Sequence, residues 1–177
     1  FIKDLSLQFS NLIDGFHFCE VKPQYSISVN ELAETIKKFK ESENNLKLDK
    51  IGKGFLKKLF ATYCSYETKK NSSYLLNKNT DHRGDFIEIL KTEDSGQFAY
   101  FTAHPGITRG GHFHHTKCEK FLVVQGTAKF RFRNIISDEY FEKISNSDKP
   151  EIVDSIPGWA HDITNIGSND LIVFLWS

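Results

Sequence analysis

Three side chains able to bind a metal ion stand close together in the sequence, at His112, His114 and Glu119. Side chains alternate between the two faces of a β-strand, so His112 and His114 point to one side and Phe113 to the other. Glu119 begins a second strand-like run that ends at Gly126. If the two strands form a hairpin, two imidazoles and one carboxylate meet on one face. Zinc-type and iron-type sites use such donors.

A fourth ligand is predicted about forty residues further on. The dipeptide Pro157-Gly158 is typical of a turn, and in a strand after it His161, Ile163 and Asn165 share one face. Three nitrogens and one oxygen leave room for solvent or substrate, which favours a catalytic divalent metal site over a closed structural one. We take zinc as the first choice, although the same ligand set also holds Mn, Fe or Ni.

The spacing of these residues resembles the two sequence motifs of the cupin superfamily. Gly-x5-His-x-His-x4-Glu-x6-Gly runs from Gly106 to Gly126, and Gly-x2-His-x3-Asn runs from Gly158 to Asn165. The second motif departs once, because Ile156 stands where the family expects proline. The resemblance implies a mainly β fold, a jelly-roll-like barrel, and a metal held by His112, His114, Glu119 and His161.

A second informative stretch begins at Asp81. Its Asp-x-Arg-Gly-x-Phe pattern resembles the strand-entry motif of dTDP-4-dehydrorhamnose 3,5-epimerases, which are cupin barrels that act on nucleotide sugars. A guanidinium suits a diphosphate because it offers two parallel charge-assisted hydrogen bonds. We therefore predict Arg83 as a substrate-binding residue, with Arg109 adding positive charge at the mouth of the barrel.

The run from Asp81 to Trp176 is similar to the C-terminal cupin domain of bifunctional capsule-biosynthesis enzymes, which act on UDP-2-acetamido-2,6-dideoxy-4-hexuloses. Residues 1–66 resemble the end of the preceding short-chain dehydrogenase/reductase domain. The resemblance implies a UDP-sugar substrate, C3 epimerisation by the cupin part and C4 reduction by the other domain. The glycine-rich pattern Gly-x-x-Gly-x-x-Gly of that domain does not occur, so NADPH is expected to bind only to the full-length enzyme.

Epimerisation next to a ketone requires an acid and a base, because a proton leaves one face and another arrives on the opposite face. The candidates for these roles are His115, Tyr100 and Lys120, in that order. Two other functions stay open. One is a non-catalytic cupin module that binds a sugar or dimerises the full enzyme, and the other is an Fe(II) cupin dioxygenase.

Composition excludes several classes of partner. Lys+Arg and Asp+Glu both number 23, so the chain lacks the excess of positive charge that is typical of proteins that bind nucleic acids. No apolar run approaches the ~20 residues that a membrane-spanning helix needs. Three widely spaced cysteines without a C-x-x-C pair fit a reducing cytosol, so we expect a cytoplasmic protein.

The N-terminal part has helical patterns. Loose helical spacing over residues 1–13 and a short strand at 16–21 precede a capping box, in which Ser28 and Glu31 open a helix through about Lys40. A second amphipathic helix is predicted over 55–66. The polar run at 69–78 suggests a boundary near residue 70, which gives a dehydrogenase remnant at 1–70 and a cupin domain at 71–177.

From Thr80 onward the pattern changes to short strands, which indicates a β-sandwich or barrel. The predicted strands cover 85–91, 96–103, 110–114, 119–125, 127–134, 139–143, 151–153, 161–166 and 170–176. Residues 121–124 are apolar on both faces, so we expect a second copy to cover the outer face in a homodimer. The chain has no Met and stops after an apolar run, so we also expect a fragment whose cupin domain is truncated at its C-terminus.

Overall fold

A computed structural model describes residues 20–67 and 73–177, together with residues 3, 6, 7, 15 and 18. Most of the predicted helix over 1–13, most of the predicted strand over 16–21 and the proposed boundary near residue 70 lie outside the described residues. No helix in these described ranges is both long enough and apolar enough to cross a membrane.

Two helices lie within residues 20–67. Helix α1 spans Val29–Asn45 and helix α2 spans Gly54–Tyr66. The capping box is confirmed: the Glu31 amide donates to Ser28 Oγ at 3.2 Å, and the Ser28 amide donates to Glu31 Oε2 at 3.0 Å. Helix α1 runs five residues past the predicted end. It stops at Leu46, which adopts a left-handed conformation and donates its amide to Ser42 O, closing the last turn.

The rest of the described chain is built from strands, as predicted. The eleven strands are β1 Lys47–Leu48, β2 Lys78–Asp81, β3 Gly84–Thr92, β4 Gln97–Ala103, β5 Thr108–His112, β6 Glu119–Gln125, β7 Thr127–Asn134, β8 Tyr140–Asn146, β9 Ile152–Ser155, β10 Trp159–Asn165 and β11 Leu171–Trp176. Nine of them match predicted strands to within three residues at either end. The short strands β1 and β2 were not predicted.

Two sheets face each other. The larger has the order β1-β3-β4-β11-β6-β9, with β2 also paired to β3, and the smaller has the order β5-β10-β7-β8. Neighbouring strands are antiparallel except β1 and β3, which are parallel. Two packed antiparallel sheets with these long-range pairings form a jelly-roll-like barrel, which confirms the mainly β fold class.

The core fills the space between the two sheets. Strand alternation sends one set of side chains inward from every long strand, and among these Phe130 and Val173 have no exposed surface. On β6 the inward residues are Glu119, Phe121 and Val123, as predicted, while Leu122 is half-buried and Val124 is exposed. The apolar interior therefore continues directly into the charged residue Glu119.

One pairing prediction was wrong. We expected the strand with His112 and the strand that begins at Glu119 to form a hairpin, but β5 pairs with β10, and β6 pairs with β11 and β9. The segment between them, residues 113–118, crosses from one sheet to the other. A hairpin needs a short turn within one sheet, whereas this crossing places His112 and Glu119 on facing sheets.

Candidate metal centre

The predicted ligands come from four places on the inner surface of the barrel. His112 ends β5, His114 lies in the crossing segment, Glu119 begins β6, and His161 lies within β10. His161 is the direct strand partner of His112, with a register shift just after it. Gly110 enables this close approach: its φ is +94°, and a Cβ there would lie 2.9 Å from the His161 carbonyl oxygen.

The four side chains converge. Their candidate ligand atoms all lie within 4.8 Å of one another, a grouping that could hold one metal ion. Glu119 Oε2 is 3.2 Å from His114 Nε2 and 3.1 Å from His161 Nε2. The His112 ring centre is 4.9 Å from both other imidazole centres. The structure therefore brings together all four residues that the spacing singled out.

Two buried atoms in this cluster fit a metal ion. His114 Nε2 and Glu119 Oε2 are shielded from solvent and have no hydrogen bond of acceptable geometry. Leaving such atoms unsatisfied costs about 1–3 kcal/mol each, so native proteins normally give them a partner. A cation between the imidazoles and the carboxylate would satisfy both atoms. The donor set, three nitrogens and one oxygen, is one that Zn and other transition ions accept.

The surroundings favour the protonation states that bind metals. Burial lowers the pKa of His112, and the neighbouring His161 and His114 side chains lower it further, which favours its neutral imidazole. Burial alone would raise the pKa of Glu119, but attraction by His161 and Lys117 outweighs it and lowers the pKa to about 2. Neutral imidazoles and a carboxylate are the forms that coordinate a divalent ion.

Two neighbours of the ligands were missed in the sequence. Ser155 Oγ lies 2.8 Å from His161 Nδ1, and Lys117 Nζ lies 3.1 Å from Glu119 Oε1. The signal for Lys117 in the sequence is its position two residues before Glu119. Ser155 carries no signal in the sequence, because its proximity follows from the pairing of β9 with β6.

The cluster lies in a cavity of about 320 Å³ between the two sheets. Apolar walls come from side chains such as Phe86, Phe121 and Leu175, and the polar lining includes Arg83, Arg109 and Lys117. A mostly apolar cavity with a few convergent polar groups is the usual form of a small-molecule site. The structure thus places both arginines that we predicted as substrate-binding in the same cavity as the ligand cluster.

The two arginines differ in their partners. Arg83 is held by Asp81, whose Oδ2 accepts from Nη2 at 2.6 Å and from Nε at 3.0 Å, and this contact lowers the Asp81 pKa. Arg109 donates to the Thr102 carbonyl at 3.1 Å and lies over the Phe101 ring. Within the part of the chain that the structure describes, Arg109 forms no ion pair. Burial lowers its pKa, and the charge of Arg83 lowers it further.

The three acid–base candidates lie elsewhere. Tyr100 points to the outer face of the larger sheet and contacts Phe174, with the ring centres 5.6 Å apart. Lys120 is exposed on that face and pairs with Asp154 at 2.6 Å. His115 is exposed and stands against Phe113, away from His112 and His114. None of the three lines the cavity. Tyr100 and Lys120 follow the strand alternation, because each neighbours an inward residue, Phe101 or Glu119.

Asn165, the last residue of the second motif, has a structural role. It is fully buried, and its amide group donates to the carbonyls of Ala103 and Asn169 while its Oδ1 accepts from the Gly167 amide. These three bonds fix the end of β10 against neighbouring loops. His161 and Ile163, the other inward residues that we predicted on this strand, are buried as well.

The barrel has the fold of cupin domains. The fold resembles the cupin domain of Drosophila melanogaster CENP-C, with a TM-score of 0.51 at 12% identity over 85% of this chain and 100% of that one. Residues 79–177 match the family model of the polysaccharide biosynthesis C-terminal domain. The chain belongs to this family.

Two proteins similar to this chain have names that refer to sugars. The chain is 48% identical over 181 residues to the UDP-2-acetamido-2,6-beta-L-arabino-hexul-4-ose reductase of Pseudomonas aeruginosa, with 100% of this chain and 49% of the relative covered. The crystal structure of the capsular polysaccharide assembling protein CapF from Staphylococcus aureus superimposes with a TM-score of 0.87 at 38% identity, over 99% of this chain and 49% of that one. The chain thus spans about half the length of both.

Proposed function

We propose that this chain is the cupin part of a nucleotide-sugar enzyme of capsule biosynthesis, and that it epimerises C3 of a UDP-2-acetamido-2,6-dideoxy-4-hexulose. The observation that carries the proposal is one cavity that joins the ligand cluster His112, His114, Glu119 and His161 to two arginines. In the full-length enzyme, a separate dehydrogenase domain would reduce C4 with NADPH. The name of the Pseudomonas relative, a reductase of a 4-hexulose, supports this division.

The state of Arg109 supports an anionic substrate. A partly buried guanidinium without a carboxylate partner is costly, and an anion in the cavity would compensate it. Arg83 and Arg109 line the same cavity, so both can contact one diphosphate. Asp81 keeps Arg83 in place until the substrate arrives.

The chemistry follows from the groups around the cluster. A bound divalent metal, for which we favour zinc, would supply a Lewis acid for the oxygen of the ketone. Loss of the C3 proton leaves negative charge on that oxygen, and Lys117 is a cavity-lining cation that can stabilise it. The apolar walls limit water around the charge, which strengthens these interactions. The roles of His115, Tyr100 and Lys120 as acid and base stay predictions, and their positions outside the cavity do not favour them.

The metal is tested first. The purified chain should bind close to one Zn²⁺ per molecule, and His112→Ala and His161→Ala should each abolish this binding, as measured by elemental analysis after dialysis. His115→Ala is the matched control, because it removes an exposed imidazole from the same segment and should keep the ion. Full metal content in both ligand variants would refute the site.

The reaction is tested by solvent exchange. The metal-loaded chain should incorporate deuterium from D2O at C3 of a UDP-2-acetamido-2,6-dideoxy-4-hexulose, as followed by NMR. Arg109→Ala should slow the exchange at least 10-fold with its metal content unchanged. Arg133→Ala, which removes an exposed arginine paired with Asp138, should not. If no such sugar exchanges in the folded, metal-loaded chain, the epimerase proposal fails.

A non-catalytic sugar-binding module is the second candidate. The observation that favours it is that none of the three acid–base candidates lines the cavity. Such a module would bind the UDP-sugar and lose affinity in Arg109→Ala without exchanging deuterium. Calorimetric titration of UDP-sugar beside the exchange assay therefore separates the two functions.

We also propose a cytoplasmic homodimer formed through the outer face of the larger sheet. Val124, Ile152 and Trp176 are between 38% and 53% exposed there. Contiguous exposed apolar side chains on a strand-rich face are typical of subunit interfaces. Val124→Glu should shift the chain to monomers in sedimentation equilibrium, and Ile136→Glu, at a 91% exposed site, should not. The free thiols of Cys64 and Cys118 are consistent with a reducing compartment.

A further inference from the structure

One buried hydrogen bond connects the ligand cluster to a residue that cannot itself reach a metal. Ser155 Oγ lies 2.8 Å from His161 Nδ1, and the two residues are 1% and 3% exposed. Because Nδ1 is engaged by the hydroxyl, Nε2 is the nitrogen that faces Glu119 Oε2, at 3.1 Å. The ring orientation that the cluster requires is therefore the one that this hydrogen bond selects.

The pairing of strands β6 and β9 places Ser155 at this position. Ser155 on β9 is the direct strand partner of Glu119 on β6, so both side chains point inward at the same level of the barrel. His161 reaches the same level from β10 in the facing sheet. In the described ranges, Ser155 Oγ has no other hydrogen-bond partner than His161. The hydroxyl is thus dedicated to one ligand.

We propose that Ser155 is a positioning residue that holds the His161 imidazole with Nε2 toward the metal. When the ion is bound, Ser155 Oγ accepts a hydrogen bond from the protonated Nδ1. This inference rests on the metal site of the proposed function. A neutral imidazole carries its proton on one nitrogen only, so coordination through Nε2 requires the proton on Nδ1 and an acceptor for it. Groups that orient a ligating histidine in this way typically contribute 10–100-fold in metal affinity.

The chain contains a matched control for this contact. Ser145 on β8 is also buried, at 2% exposed, but its hydroxyl has no hydrogen-bond partner among the described residues. Removing that hydroxyl therefore breaks no hydrogen bond to an imidazole. Ser155→Ala and Ser145→Ala therefore make the same chemical change in two buried sites, and only the first touches a predicted ligand.

The affinity experiment uses the 177-residue chain with Zn²⁺ alone, titrated in competition with a chromophoric chelator. Ser155→Ala should weaken Zn²⁺ binding about 10–100-fold, and Ser145→Ala should leave it within about 3-fold. Unchanged affinity in a folded Ser155→Ala protein would overturn the proposal.

A second pair of variants separates the hydroxyl from packing. Threonine keeps the hydroxyl of serine, and valine replaces it with a methyl group of nearly the same shape. Ser155→Thr should bind Zn²⁺ more tightly than Ser155→Val by about 10-fold or more, although both add one methyl group. This comparison holds even if Ser155→Ala does not fold. Equal affinities in the two variants would contradict a role for the hydroxyl.

Nitrogen chemical shifts of His161 give a readout that general destabilisation does not produce. In the Zn²⁺-loaded protein, Nδ1 should carry the proton and Nε2 should show the shift of a metal-bound nitrogen. In Ser155→Ala the fraction of this form should fall at the same Zn²⁺ concentration. If the unsubstituted chain binds no Zn²⁺, the proposed function and this inference fail together. If it binds Zn²⁺ and Ser155→Ala binds equally well, only the inference fails.

Discussion

The barrel and the helical pair differ sharply in how much they bury. Among the fully buried hydrophobic side chains of the described residues, Phe39 of α1 alone lies outside the barrel. Helix α2 has no fully buried residue, and Phe39 packs against its Phe60 and Tyr63 rings at 5.1 and 5.7 Å between centres. The barrel, in contrast, encloses a continuous core.

This difference explains where the chemistry lies. Inside a packed core, the imidazoles and the carboxylate lose contact with water and are held in fixed positions. A metal ion can then replace the hydrogen bonds that water would otherwise make with them. The helical pair offers one small aromatic cluster and joins the barrel through β1, which pairs with the edge of β3 over two residues. We therefore expect substitutions to unfold the barrel as a whole but to loosen the helical pair locally.

The largest effect is expected from Phe130→Ala. Phe130 has no exposed surface and packs against Phe121 across the barrel, with ring centres 5.8 Å apart. Truncating a core phenylalanine removes transfer free energy and leaves a cavity, which costs about 3–5 kcal/mol. The free energy of unfolding from urea denaturation should fall by this amount, and metal binding should weaken with it. A loss below about 1 kcal/mol would contradict the picture of a tightly packed core.

Phe39→Ala should have a smaller and more local effect. Its neighbours are two partly exposed rings on α2, and these can close part of the gap, so we expect about 2–4 kcal/mol for opening of the helical pair. Hydrogen exchange should speed up in α1 and α2 while the amides of β6, β10 and β11 keep their protection. Equal loss of protection in the barrel would mean that the two regions form one cooperative unit.

The sequence predicted the barrel better than the connections within it. Nine strands and both helices were found because the alternation of apolar residues and the capping box at Ser28 are local signals. The pairing of β5 with β10 was missed, because the choice between a hairpin and a crossing depends on which sheet buries each strand. Strand β1 has only two residues, too few for any periodic signal.

The candidate site divides in the same way. The four ligands could be predicted from spacing, and the structure brings them together. Lys120 could have been recognised as outward-facing, because it directly follows the inward Glu119 in a strand. Ser155 could not have been found, since it reaches His161 only through the pairing of β9 with β6. Local periodicity shows which face a residue occupies, and only the topology shows what stands opposite it.

Gly84→Ala tests how closely the edge of the barrel is packed. Gly84 has a φ of +133°, and a Cβ there would lie 2.5 Å from the Thr102 carbonyl oxygen. Strain of this kind costs about 1–3 kcal/mol, and it would also move Arg83, its neighbour at the cavity. Thermal unfolding should report the loss. Gly52→Ala is the control from the N-terminal part, because no atom lies within 4 Å of the added Cβ. A similar loss in both variants would count against the specific clash.

The smallest effect is expected from Ser28→Ala at the start of α1. The serine hydroxyl accepts the Glu31 amide, and the Glu31 carboxylate accepts the Ser28 amide and lies 2.7 Å from the hydroxyl, so alanine removes one half of a reciprocal cap. Such a loss costs about 1 kcal/mol. Since the cap is exposed and remote from the barrel, hydrogen exchange should speed up about 5-fold in the first turns of α1, and Zn²⁺ affinity should not change. Ser28→Asp keeps an acceptor at the cap and should restore most of the protection. A change in Zn²⁺ affinity in Ser28→Ala would show that the helical pair and the metal site are coupled. It would contradict the view that the two regions respond independently to substitution.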